Sequence, residues 1–204
     1  MILRSILKQT YLLTLALMMS FNIVAQESGA VFEEIIVTAE KRSESLQDIS
    51  QAVTVLSGSD LDNRQISTFV DISAIAPGVN VAKNEGFKTV ITIRGVGYET
   101  NQNAIATPSV SYHLDGIYVA SPYSLQTDFL DLERVEVLRG PQGTLFGQNS
   151  TGGAMNVITA APSTEEAFGS ADLTLGDHGL TKLRAVINTP LNDKAAVRAS
   201  FISN

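Results

Sequence analysis

The side chains with the greatest chemical reach in this chain are two histidines, His113 and His178, an acidic run of Asp128, Asp131, Glu133 and Glu136, and a string of glycines, Gly140, Gly143, Gly147, Gly152 and Gly153. Each suggests a chemistry that its neighbours deny. The histidines stand far apart and cysteine is absent, so a zinc site or thiolate chemistry lacks donors. The glycines invite a phosphate loop, but Gly153 stands where the phosphate-binding lysine is required, and Gly95 with Gly97 lacks the third glycine of a dinucleotide fingerprint. No Gly-x-Ser-x-Gly elbow occurs. The acidic run is expected to face solvent rather than to form an acid/base pair. No catalytic residue, metal ligand or cofactor is therefore expected, and the chain is not expected to be an enzyme. With 14 Lys+Arg against 21 Asp+Glu, it also lacks the basic footprint that a nucleic acid requires.

The elements that position these residues follow from patterning. Arg4 and Lys8 precede an apolar run from Tyr11 to Val24 that ends at Ala25. That is the layout of a secretory signal over residues 1–25, and the run is shorter than the roughly 20 apolar residues of a spanning helix. Gln26 to Phe32 reads as a flexible leader. Behind it Ile35, Ile36 and Val37 form a β-prone patch between charged neighbours. The residues leave two readings open there: pairing within the chain's own domain, or addition to another protein's sheet edge.

Beyond Ala52 to Leu56, a short apolar run, Ser59 with Asp62 predicts a capped helix. Phe69, Ile72 and Ile75 share one helical face that Pro77-Gly78 ends, and they are expected in the core. Val90 to Gly95 reads as a strand entering a glycine turn. Asp115-Gly116 divides two alternating runs and predicts a hairpin with a type I′ turn. Leu132 to Leu138 alternates apolar and charged residues, so one face is expected buried and the other wet. After Pro162 three alternating segments, Gly169–Leu175, Thr181–Asn188 and Ala195–Ser203, separated by Gly176–Gly179 and Pro190–Asp193, read as an antiparallel meander. Alternation alone fits a soluble sheet as well as a lipid-facing barrel wall.

The stretch Leu132-Glu133-Arg134-Val135-Glu136-Val137-Leu138-Arg139-Gly140-Pro141-Gln142-Gly143-Thr144-Leu145-Phe146-Gly147, continuing to Thr159, closely resembles the plug signature of TonB-dependent outer-membrane receptors. The likeness extends back through Tyr112 to Val119, Thr92-Ile93-Arg94-Gly95 and Ala76-Pro77-Gly78-Val79. The resemblance implies an α+β plug domain, a small mixed sheet with short helices, followed by the first antiparallel strands of a transmembrane β-barrel. It divides the chain into a signal (1–25), a leader with the TonB box (26–47), the plug (48–162) and the start of a barrel (163–204).

The same resemblance identifies Ile35, Ile36, Val37, Thr38 and Ala39 with the TonB box, Arg94 and Arg139 with plug arginines that pair with barrel-wall acids, and Tyr98, Asn101, Gln102 and Tyr123 with the substrate-facing apex. Implied partners are TonB, acting with ExbB and ExbD in the periplasm, the protein's own barrel, the outer membrane and a small nutrient such as a ferric siderophore, haem, cobalamin or oligosaccharide. Uptake gated by the plug is the expected function. A secreted β-rich binding module without a membrane role is the alternative. Three strands cannot close a barrel, so residues 1–204 alone are expected not to transport.

Overall fold

The computed structural model describes residues 36–37, 44–45, 51–84, 88–97 and 107–203, all within a unit that runs from Ile35 to Asn204. The expected signal at 1–25 lies outside them. Strand β1 (Ile36–Val37) pairs antiparallel with β2 (Glu44–Ser45), Ile36 opposite Ser45 and Val37 opposite Glu44. The β-prone patch therefore has a partner inside its own chain.

Strand β3 (Val53–Ser57) runs directly into helix α1 (Gly58–Asn63). Ser57 caps the helix, its Oγ accepting from Asp60 N at 3.1 Å, while Asp60 Oδ2 accepts from Ser57 N at 3.2 Å. The cap thus falls two residues before the expected Ser59. Close packing holds position 58 to glycine, because a Cβ there would strike the Leu132 carbonyl oxygen. Ser57, extended at φ −68° and ψ 158°, is the residue in place to cap. The Phe69 stripe forms a 3-10 turn over Val70–Ala74, whose three-residue period carries Phe69 and Ile72 inward. Both are buried, Ala76 follows them, and Ile75 is only partly covered.

Strands β4 (Val79–Asn84), β5 (Lys88–Ile93) and β6 (Val96–Gly97) make a small antiparallel sheet. The expected hairpin is present as β7 (Val110–Leu114) and β8 (Ile117–Tyr118), with φ of 49° at Asp115 and 79° at Gly116, the double positive φ of a type I′ turn. Next come a 3-10 turn (Pro122–Gln126), β9 (Leu132–Arg139), a short helix α2 (Gly143–Phe146) and β10 (Gly153–Thr159). These complete a five-stranded mixed sheet in the order β3-β9-β10-β7-β8, in which β10 and β7 are parallel and the other neighbours antiparallel.

One face of this sheet carries Leu56, Tyr112, Val135, Val137, Met155 and Val157 into the main core, against Phe69, Ile72, Ile91 and Ile93. Phe69 meets Tyr112 and Phe129 edge-on, with ring centroids 5.1 and 4.7 Å apart. Burial, aided by the Asp115 charge, pushes the Tyr112 phenol up to about 12, so it stays neutral. The other face of β9 is not wet, contrary to the alternation. Leu138 and Ala154 pack under Phe146 of α2, and Glu136 is fully buried. Its carboxylate is satisfied from within the sheet, by Arg134 Nε at 2.8 Å and Asn156 Nδ2 at 3.2 Å, which is the condition for burying a charge.

Strands β11 (Phe168–Leu175), β12 (Thr181–Asn192) and β13 (Ala195–Ser203) form a separate antiparallel sheet. β12 runs past the expected turn at Pro190, because the ladder slips between Pro190 and Asn192 and a proline is tolerated at such a bulge. Phe69→Ala is expected to cost about 3–5 kcal/mol by opening a cavity between two rings. Ile117→Ala, at a 71% exposed position, should stay within about 0.5 kcal/mol. Urea titration followed by circular dichroism distinguishes them, and equal midpoints would contradict the core assignment.

Candidate functional site

The β11–β13 sheet has two chemically opposite faces, dictated by period-two alternation. Cross-strand register groups Ala171 with Ala185 and Phe201, and Leu173 with Leu183. That face is apolar and bare: Leu173 is 64%, Ile187 57% and Phe201 56% exposed. The opposite face groups Ser170, Val186 and Ser200, then Asp172, Arg184 and Ile202, then Phe168, Asn188 and Arg198. It is turned toward the five-stranded domain, and between the two lies a cleft of about 970 Å³ whose lining includes Asp62, Asp131, Asp172, Lys182, Arg184 and Arg198.

Among the described residues, three ion pairs cross this seam. Arg198 grips Asp131 with both arms of its guanidinium, Nε to Oδ2 at 2.6 Å and Nη2 to Oδ1 at 2.5 Å, the fork geometry that makes Arg–carboxylate pairs specific. Ser200 Oγ donates to the same carboxylate, and Arg198 stands 5.0 Å over the Phe168 ring. Lys182 Nζ reaches Asp128 Oδ2 at 2.7 Å. Arg184 Nη1 reaches Asp62 Oδ1 at 2.7 Å, with Asp172 of its own sheet 3.7 Å from its Nε. Asp131 is presented at the mouth of β9 by a left-handed turn, φ 53°, and aspartate is among the few residues that tolerate it. Burial alone would push the Asp131 carboxyl up. The Arg198 and Ser200 hydrogen bonds, with the charges of Arg198 and Arg184, outweigh burial and hold it below the usual carboxylate range.

A fourth contact fixes the segment that joins the two sheets. Asn188, 1% exposed, accepts from Ser163 N at 2.9 Å and donates to the Ser163 and Glu166 carbonyls at 2.9 and 2.8 Å.

The expected site residues are distributed as follows. Ile36 and Val37 lie in β1, while Ile35, Thr38 and Ala39 fall outside the described residues, as do Tyr98, Asn101 and Gln102. Tyr123 is 58% exposed on the Pro122–Gln126 turn. Arg94 is exposed, with φ 52° and its backbone N donating to Gly78 O at 2.7 Å. Arg139 is half-buried. Its guanidinium donates to Thr54 Oγ1, and its buried Nε has no hydrogen-bond partner among the described residues.

The backbone next to each arginine reaches the same glycine pair: Arg139 pairs opposite Gly153, and a Cβ at Gly152 would strike Val96, two residues past Arg94. Sequence reading missed the seam itself. Asp62 was legible only as a cap residue, and Asp128 and Asp131 only as solvent-facing acids. The available signal was that Lys182, Arg184, Arg198 and Ser200 all occupy the non-apolar register of their strands. Among the described residues, no cluster of three or more His, Asp or Glu side chains could hold a metal.

A bare apolar face, a charged inner face and a sheet domain closing on it fit a plugged membrane wall. Comparison with known proteins agrees. The family described as TonB-dependent Receptor Plug Domain matches residues 45–154. The pesticin receptor of Yersinia pestis is 34% identical over 146 residues, covering 69% of this chain and 20% of that protein. The iron-regulated outer membrane virulence protein of Vibrio cholerae is 32% identical over 155 residues, covering 72% and 23%. The crystal structure of the ferric yersiniabactin uptake receptor from Yersinia pestis superposes with a TM-score of 0.70 at 23% identity, over 81% of this chain and 26% of that one. The chain belongs to the TonB-dependent receptor plug family, and its place is the outer membrane. It spans about a fifth of the length of the relatives it matches.

Because the Asp131 pKa is lowered in the folded chain, its contribution to the seam is present above the unfolded value of about 3.9 and is lost as pH falls through the lower folded value. Protection of the Asp131 backbone against hydrogen exchange should therefore persist down to about pH 4 and decline below it. Asp131→Asn should remove that acid dependence. A decline already complete near neutral pH would contradict the assignment.

Proposed function

We propose that this chain supplies the plug and first wall strands of a receptor that takes up a scarce nutrient through the outer membrane, and that a ferric siderophore is the cargo class. The supporting observation is the seam, where a folded domain meets the polar side of the β11–β13 sheet through ion pairs. Its fit to iron follows the relatives, one called a ferric yersiniabactin uptake receptor and another iron-regulated. The division is a signal at 1–25, a leader with the TonB box at 26–47, the plug at 48–162 and the wall from 163 onward. No bond is made or broken in this role, so no catalytic residue or cofactor is invoked. Radioactive-iron uptake from a panel of catecholate, hydroxamate and phenolate siderophores, by cells carrying the full-length gene, tests the cargo. Uptake of none of them, or uptake independent of TonB, would overturn the reading.

Energy enters through Ile35 to Ala39, of which Ile36 and Val37 form a strand, and this segment offers an edge to a strand of TonB driven by ExbB and ExbD. Tyr98, Asn101, Gln102 and Tyr123 meet the cargo from the plug apex. Arg94 and Arg139 pair with acids on other parts of the wall, and the buried Nε of Arg139, without a hydrogen-bond partner among the described residues, supports this, since a buried donor left unmatched is costly.

Proline at Ile36 removes a ladder donor and fixes φ, so Ile36→Pro should weaken binding of the TonB C-terminal domain by about ten-fold while leaving the plug folded. Unchanged affinity in a titration would remove the box assignment. Breaking a buried pair can cost about 3–5 kcal/mol when one charge is left alone, so Arg139→Ala in the full-length receptor should raise single-channel conductance and vancomycin sensitivity. Arg94→Ala, at an exposed site, should act in the same direction but more weakly. Parental values for both variants would exclude the anchor role.

A further inference from the structure

The three seam ion pairs differ in what each leaves behind when it parts. Arg198 and Asp131 are 16% and 12% exposed, bound by two direct hydrogen bonds and by Ser200. Among the described residues Arg198 has no second carboxylate, so separating this pair strands a guanidinium on the wall and an acid on the plug. Arg184 and Asp62 are 28% and 54% exposed. Arg184 has Asp172 opposite it in the ladder, 3.7 Å from its Nε. When Asp62 leaves, Arg184 keeps a carboxylate on its own sheet and Asp62 passes into water. Parting a solvent-exposed pair costs little, whereas stranding a withdrawn charge costs much.

A further observation points the same way. Helix α1, which carries Asp62, buries only Leu61 of its six residues, and a segment with so few buried contacts opens readily. Asp62 and Gln65 line the 970 Å³ cleft together with Asp172, Thr174 and Arg184, and the same cleft reaches Asp131 and Arg198.

We infer that the plug is hinged on the wall at Asp131, Arg198 and Ser200 and parts from it along α1, with Arg184 handed from Asp62 to Asp172, so that the seam first widens on the α1 side of the cleft. The inference rests on β11–β13 being barrel wall, and not on the TonB box or the cargo. Lys182 and Asp128, 16% and 23% exposed and 2.7 Å apart, lie between these extremes.

Hydrogen exchange read by mass spectrometry on the full-length receptor in lipid nanodiscs, without TonB and without siderophore, tests it. Asp62→Asn should speed exchange of residues 58–66 about two- to five-fold and leave residues 128–132 unchanged. Asp172→Asn should slow exchange of residues 58–66 about two-fold, because the parted state loses the partner that receives Arg184. That slowing separates a handover from a merely structural bridge, whose loss would accelerate exchange. Asp131→Asn should accelerate residues 58–66 and 128–132 together by about ten-fold or more. If that variant does not insert, the Asp62 and Asp172 variants decide the matter. Faster exchange at 58–66 in Asp172→Asn, or equal acceleration of 128–132 in Asp62→Asn, would overturn the hinge, as would a response to Asp131→Asn confined to 128–132.

Discussion

A guanidinium withdrawn from water to the extent of Arg198, 16% exposed, needs a carboxylate, and the placement of the two halves of this chain follows from that need. The wall sheet can show lipid its apolar face only if its polar residues collect on the other. Once collected there, the charges must be matched by something that is not lipid. Asp131 meets the requirement because β9 begins in a left-handed turn, and Asp128 lies just before it. Asn188 then limits the slack between the sheets by holding both Ser163 and Glu166. One register of β12, carrying Lys182, Arg184 and Asn188, thus decides both where the plug sits and where its connecting segment runs.

The fold was legible wherever a local rule acts without competition. Asp115-Gly116 has one good solution, and the hairpin took it. The alternation after Pro162 also translated directly, since a strand that faces lipid on one side and charge on the other has no freedom of register. Errors arose where distant backbone intervened. The cap lies at Ser57 rather than Ser59, held by its reciprocal hydrogen bonds with Asp60, where the Leu132 carbonyl, far along the chain, sits against Gly58. Glu136 was read as wet because alternation cannot tell a solvated second face from one covered by a short helix and lined with its own polar partners.

The seam was invisible for a related reason. Family resemblance directs attention to plug arginines and wall acids, yet the described contacts run with the opposite polarity, plug acids against Lys182, Arg184 and Arg198. The two arrangements are compatible. Arg139 lies opposite Gly153, with Val96, two residues past Arg94, beside Gly152, whereas Asp62, Asp128 and Asp131 line the side that meets β11–β13. A domain enclosed by a barrel meets wall on several sides, and nothing obliges those sides to carry the same charge. Mixed polarity also limits misplacement, because a rotated plug would set like charges against each other.

The short ladder between β1 and β2 has an energetic consequence for the proposed contact with TonB. Ile36 and Val37 already have backbone partners in Ser45 and Glu44, so a foreign strand must displace them before it can add. An isolated two-stranded ladder is marginal in water. If its net stability is about 1 kcal/mol, roughly one molecule in six is open, and apparent affinity falls by the same factor of about six. That penalty is small beside the contact a longer strand can make, yet large enough to discourage pairing with unrelated sheet edges. Edge strands invite indiscriminate pairing, and a segment whose function is to be an edge needs a cover weak enough to yield. Glu44 and Ser45 suit that role because serine and the acidic residues have modest strand propensity, so the cover holds the edge without competing on equal terms with a β-branched partner.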